Sequence, residues 1–190
     1  MQPYRVMTVC TGNICRSPMA EVVLRDRFEA AGLGDRVEVD SSGVSDEESG
    51  NPIDPRAASV LREAGYPVPR HRAHGITADE LGCRDLLLAM TARHARTLRT
   101  RAADGPTAAR VRMWRSFDPS APPTSGPDAV ADESDLDVAD PWYGGRDLFV
   151  STLQQVEAAA DGIVEFVRRE LAARDGSGRH EDGDEQQHRQ

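Results

Sequence analysis

The sequence predicts an α/β protein: a four-stranded parallel sheet with helices on both faces. Three observations predict it. Strand-like and helix-like segments alternate almost from end to end, the pattern of a parallel sheet wound through crossover helices. One stretch, Asp85 to Met90 (DLLLAM), is an almost unbroken apolar run, as in a strand covered on both faces. The first strand passes straight into a turn-prone stretch and then a helix, with CTGNICRSP at Cys10–Pro18.

The elements follow in chain order. Arg5 to Val9 (RVMTV) reads as a short strand. From Pro18 the pattern is helical, with Met19, Val22, Val23 and Phe28 at helical spacing. Ser17 before Pro18 reads as a capping hydroxyl followed by proline at the first helical position. Gly32 and Gly34 end that helix. Val37 to Asp40 is a second strand, Ser41 to Pro55 a loop, and Arg56 to Ala64 a short helix stopped at Gly65. After the DLLLAM strand, Ala92 to Arg101 is helical and Ala109 to Trp114 is a fourth strand. A last helix carries Leu148, Leu153, Val156, Ala160, Ile163, Val167 and Leu171 on one face. The expected domain spans residues 1–174. Within it, 119–137 is Pro-, Gly-, Ser- and acid-rich and reads as an unstructured insertion, and 175–190 reads as a disordered tail.

Composition bounds the function. The chain has 190 residues and a net charge of −9, so a broad basic face for nucleic acid is not expected. An anion can still be held in one built pocket, because site charge and net charge differ. Three cysteines without regular spacing argue against a disulfide framework, and there is no metal spacing of the CxxC…CxxC or HExxH kind. No run approaches the ~20 apolar residues of a membrane span. The first strand begins within a few residues of Met1, leaving no room for a signal peptide. The expectation is a cytoplasmic protein with no cofactor, no metal, no nucleic acid and no membrane partner.

CTGNICRS carries the chemistry. A strand enters the loop and a helix leaves it, so the backbone N–H groups of Thr11, Gly12, Asn13, Ile14, Cys15, Arg16 and Ser17 can curl round one anion. The guanidinium of Arg16 can bind two phosphate oxygens side by side. Cys10 stands at the base of this cradle, where positive potential favours a thiolate aimed at phosphorus. Ser17 can give its hydroxyl proton to that sulfur and improve it as a leaving group. Gly12 permits a tight turn and Asn13 a left-handed conformation.

VCTGNICRSPMAE resembles the signature of the low-molecular-weight protein tyrosine phosphatases. DSSG at 40–43, GNPIDPRA at 50–57, HRA at 71–73 and DPWYGG at 140–145 resemble family segments in family order. RVRM at 110–113 and SFDP at 116–119 resemble bacterial members. The resemblance implies a flavodoxin-like sheet in the order 2-1-3-4. It implies hydrolysis of phosphotyrosine in a protein substrate through a cysteinyl-phosphate, without metal. Carried over, Cys10 is the nucleophile, Arg16 binds phosphate, and Asp140 is the acid and then the base. Asn13, Ser17, Ser41 and His71 resemble the network that holds the loop, and Trp142 and Tyr143 the aromatic mouth. Cys15 resembles the family's partner for a reversible disulfide with Cys10, and a buried neutral thiol is the alternative reading. A monomer or weak homodimer is expected.

Three departures stand out. Glu47, with Glu48 beside it, replaces an aromatic residue on the wall of the site. Thr91 stands where Asp is common, and the acidic insertion before Asp140 is long. Two related chemistries fit less well. A redox relay of arsenate-reductase type needs two downstream cysteines, and only Cys83 lies in that region. Relatives acting on phosphoarginine tend to have Thr where Ile14 stands and a smaller mouth. A phosphate-binding module without catalysis would have no need of both Cys10 and Asp140.

Overall fold

The computed structural model describes residues 2–123 and 132–181, with side chains described to residue 176. Four strands, β1 (Tyr4–Cys10), β2 (Val37–Gly43), β3 (Leu86–Ala89) and β4 (Val111–Met113), form one parallel sheet in the order β2-β1-β3-β4. Among the described residues six helices accompany them: α1 (Arg16–Ala30), α2 (Pro55–Glu63), α3 (Ala78–Cys83), α4 (Ala92–Arg101), α5 (Gly105–Ala109) and α6 (Arg146–Glu181).

The alternation of side chains along the strands divides the core in two. Tyr4 and Val6 of β1 and Leu86 and Leu88 of β3 face one cluster, against Val23 of α1, Leu61 of α2 and Val156 and Ile163 of α6. Met7, Val9, Leu87 and Ala89 face the other, against Ala95 and Leu98 of α4. Both central strands are thus apolar on both sides, which is why DLLLAM does not alternate. Burying each leucine of β3 contributes about 2 kcal/mol.

Helix α2 begins at Pro55, one residue before the expected start, and so takes in the last residue of the expected loop. Asp54 caps it by accepting from the Arg56 N–H, and Pro55 opens it. At the end of α1, Gly32 takes φ +69°.

Several expectations need correction. Ser17 is not a cap: α1 starts at Arg16, and no side chain caps its first turn. The Ser17 hydroxyl is turned inward to the loop instead. β2 runs on through Ser41 to Gly43, because β1 offers it three further rungs at Thr8, Val9 and Cys10. The parts of 119–137 that are described are structured. Ser120 is held by Asp118, a 3-10 turn forms at Glu133–Leu136, Leu136 is buried, and Arg99 clamps Glu133. Residues 124–131 of that expected insertion lie outside the described residues. Of the expected tail, residues 175–181 continue α6, and residues 182–190 lie outside the described residues. Two short helices, α3 and α5, were not expected. No described helix is long and apolar enough to cross a membrane.

Candidate active site

The site forms where β1 ends and α1 begins, beyond the carboxyl ends of the strands. Cys10 is the last residue of β1 and is 3% exposed. Its sulfur lies 3.0 Å from Ser17 Oγ. The Asn13 amide donates to that same oxygen at 3.0 Å, so the single Ser17 proton is left for an acceptor. Two acceptors compete for it, the Cys10 sulfur and the carbonyl of Ser42 at 3.2 Å. A negative charge on sulfur would win that competition.

Asn13 organises the loop. It takes φ +59°, a left-handed conformation that Asn tolerates better than most residues. Its amide also donates to Ser41 Oγ at 2.9 Å, and its Oδ1 accepts from the His74 backbone N–H at 3.1 Å. Its carbonyl meets His71 Nε2 at 2.6 Å. Ser41 in turn donates to the buried Glu21 carboxylate, which Arg25 pairs at 2.7 Å. The four residues expected to support the loop are therefore joined in one network, with Glu21 as an unexpected fifth.

The outer turn of the loop is backed by the chain after β2. Val44 N–H donates to the Cys10 carbonyl at 2.9 Å and Ser45 N–H to the Thr11 carbonyl at 3.0 Å. Gly43 makes this approach possible, since a Cβ there would sit 2.5 Å from the Thr11 carbonyl oxygen. Thr11 Oγ1 bonds His94 Nε2 at 2.9 Å, and His94 Nδ1 meets Thr91 Oγ1 at 2.9 Å. Burial, with Arg16 and Arg93 adding to it, pushes His94 down to about 3, so the ring is neutral. Thr91, which departs from the family pattern, thus caps α4 and orients this histidine.

Arg16 is buried, and it reaches the opposite wall. Its guanidinium donates to the Val138 carbonyl at 3.2 Å and to Asp140 Oδ2 at 2.5 Å. Its Nε–H is buried without a hydrogen-bond partner among the described residues. Asp140 is half-exposed and also accepts from the Trp142 N–H at 3.2 Å.

The loop that carries Asp140 is tethered by a residue the sequence reading passed over. Arg56 forks onto Asp54 and donates to the carbonyls of Trp142 at 3.2 Å and Gly144 at 2.9 Å. Its plane also lies 4.6 Å from the centre of the Phe149 ring. Asp54, whose N–H donates to the Ile14 carbonyl at 2.8 Å, ties this clamp to the phosphate loop. Hydrogen bonds from Arg56 hold the Asp54 carboxyl below its ordinary range despite burial.

A cavity of about 230 Å³ opens above the loop. The buried Cys10, Cys15 and Arg16 line it together with Asp140, Trp142, Tyr143, Glu47 and Glu48. Cys15 is buried, and burial first, then the charge of Asp54, pushes its thiol up. Cys83, in contrast, is exposed and far along the chain on α3. No cluster of three metal-ligating side chains occurs among the described residues.

Strand order, loop and cavity together define a phosphate-loop fold in which a cysteine and an arginine share one cavity. The chain belongs to the low molecular weight phosphotyrosine protein phosphatase family, whose sequence model matches residues 5–173. It is 47% identical over 171 residues to a low molecular weight protein-tyrosine-phosphatase of Streptomyces coelicolor, covering 90% of this chain and 98% of that one. It is 45% identical over 170 residues to low molecular weight protein-tyrosine phosphatase A of Mycobacterium tuberculosis, covering 90% and 95%. The crystal structure of YfkJ from Bacillus subtilis superposes with a TM-score of 0.75 at 26% identity, over 90% of this chain and 98% of that one.

Proposed function

We propose that this protein hydrolyses phosphotyrosine in protein substrates through a cysteinyl-phosphate, without a metal. The observation that carries the reading is a single cavity in which Cys10 Sγ, hydrogen-bonded to Ser17, shares its base with the Arg16 guanidinium and has Asp140 on its wall. The phosphoryl oxygens take the loop N–H groups and the Arg16 guanidinium, displacing Asp140 from the ion pair it makes at 2.5 Å. The Cys10 sulfur then attacks phosphorus. An S–P bond forms, the P–O bond to the phenol breaks, and Asp140 gives its proton to the leaving oxygen. In the second step Asp140 takes a proton from water, the water oxygen bonds phosphorus, and the S–P bond breaks. Ser17 donates to the departing sulfur.

Asn13, Ser41 and His71 keep the N–H groups pointing inward in this scheme, and Thr11, Gly12, Ile14 and Cys15 supply them. Trp142 and Tyr143 flank the tyrosyl ring. Cys15 serves as a resolving thiol: if the Cys10 sulfur is oxidised to a sulfenic acid, Cys15 attacks it, water leaves, and a disulfide protects the nucleophile. We place the enzyme in the cytoplasm as a monomer or weak homodimer, with no nucleic-acid or membrane partner.

The test is a panel of phosphotyrosine, phosphoserine and phosphoarginine peptides. Wild type acts on phosphotyrosine alone, Cys10→Ser is inactive, and Asp140→Ala is slow. The loss in Asp140→Ala shrinks for leaving groups that need no proton. Turnover of phosphoarginine, or activity retained in Cys10→Ser, would overturn the reading.

A further inference from the structure

The mouth of the cavity has a charge pattern that the family resemblance does not supply. Among the described residues that line it, Arg16 is the one cation, and it lies at the base with a side chain only 5% exposed. The more exposed part of the lining carries Glu47, Glu48 and Asp140 together with Trp142 and Tyr143. The cavity is therefore positive at the bottom and negative at the lip.

The two glutamates are fixed to different degrees. Glu48 is seated on the phosphate loop itself: a Cβ on Gly12 would lie 2.8 Å from Glu48 Cγ. Its carboxylate is held by the Asn51 amide at 2.7 Å. Glu47 is exposed, is anchored only through its backbone N–H on Ser45 Oγ at 3.2 Å, and has no cationic partner among the described residues. Tyr143, which lines the same cavity, is 97% exposed. The mouth thus offers both free carboxylate charge and a free aromatic face.

We infer that this rim selects phosphotyrosine segments that carry lysine or arginine beside the phosphotyrosine and rejects segments with acidic neighbours. The inference rests on the phosphatase reading above and adds the substrate class. The phosphate must pass the carboxylates to reach Arg16, which disfavours binding. A cation flanking the phosphotyrosine offsets this by pairing Glu47 and Glu48 and by stacking on the exposed Tyr143, since the Trp142 ring already has the Arg56 guanidinium 5.8 Å from its centre. An acidic neighbour does the opposite. The overall charge of −9 adds a field of the same sign, which speeds the encounter with a basic segment.

The experiment compares two phosphotyrosine peptides that differ only in having lysine or glutamate on both sides of the phosphotyrosine, with phenyl phosphate as a substrate lacking flanks. Wild type is expected to favour the lysine peptide about 5- to 10-fold in kcat/KM at low ionic strength, the range of a few exposed charge pairs. High salt and the double variant Glu47→Gln, Glu48→Gln each bring the ratio within about twofold. Glu47→Gln alone, an exposed change, gives a partial shift and a check should the double variant unfold. Equal rates on the two peptides in wild type, or a ratio untouched by the glutamine substitutions, would overturn the inference while phenyl phosphate turnover left the phosphatase reading standing. Loss of phenyl phosphate turnover in folded wild type would overturn both.

Discussion

Lowering the pH from 7 to 5 removes stability from this protein through one buried ring. His94 is 2% exposed and bridges Thr11 of the phosphate loop to Thr91 at the start of α4. Folding lowers it from the ordinary 6.5 to about 3, through burial and the nearby charges of Arg16 and Arg93. The sign follows from linkage. The folded form resists protonation while the unfolded form accepts it, so the contribution is complete above pH 6.5 and is lost as pH falls from there toward 3. At pH 5 the gap below 6.5 is worth about 2 kcal/mol, at 1.36 kcal/mol per pH unit. The carboxyls held low by hydrogen bonds or ion pairs, such as Asp54, Asp118 and Glu133, add their own losses only at lower pH. Urea unfolding at pH 7 and pH 5 checks this, comparing wild type with His94→Gln. The variant is less stable at pH 7, because two threonine hydroxyls lose a partner, but its change between the two pH values is smaller by about 2 kcal/mol. An identical pH slope in the two proteins would refute the reasoning.

Other consequences follow from the same contacts. Gly43→Ala forces a methyl group to within 2.5 Å of the Thr11 carbonyl, so thermal melting should show a loss of about 1–3 kcal/mol and phosphatase activity should collapse with it. Asn13→Ala removes the side-chain bonds to Ser17, Ser41 and His74 at a position with φ +59°. It should cost about 2–4 kcal/mol by urea denaturation and lower kcat in the folded fraction. Arg56→Ala frees the backbone of 142–144 and strands Asp54. Steady-state kinetics should show kcat about 10-fold lower, with the largest loss on substrates that need a proton from Asp140, as misplacement of an acid predicts.

The parallel sheet and the phosphate loop were legible from the pattern of the chain, whereas the strand order came only from the family resemblance. A strand, an anion loop and a helix are adjacent in sequence, so Cys10 to Ser17 could be read before any contact was known. Asp140 and the Trp142–Tyr143 pair could be placed only through the family resemblance, because they approach the loop from more than 120 residues away. Ser17 misled the reading because its hydroxyl and the proline after it mimic a cap. What decides its orientation is tertiary, namely the Asn13 amide and the Cys10 sulfur. Helix α3 was readable and was missed: Thr77 and Glu80 form a reciprocal capping box, but the helix has only six residues. The acidic composition around residue 133 suggested disorder, yet Arg99 and the burial of Leu136 anchor that turn. Arg56 lies within the GNPIDPRA segment, but neither its clamp nor the bridge made by His94 shows in sequence. Their partners at Gly144 and Thr11 lie 88 and 83 residues away, and no spacing rule reaches so far.

Trapping the covalent intermediate tests the central claim most directly. Rapid acid quench of the enzyme with an aryl phosphate, followed by peptide mass spectrometry, should find phosphate on Cys10 at near one equivalent, with a matching burst of phenol. Asp140→Ala should accumulate it with good leaving groups, because the water step then limits the rate. A burst with no phosphate on Cys10, or phosphate on another residue, would contradict the account.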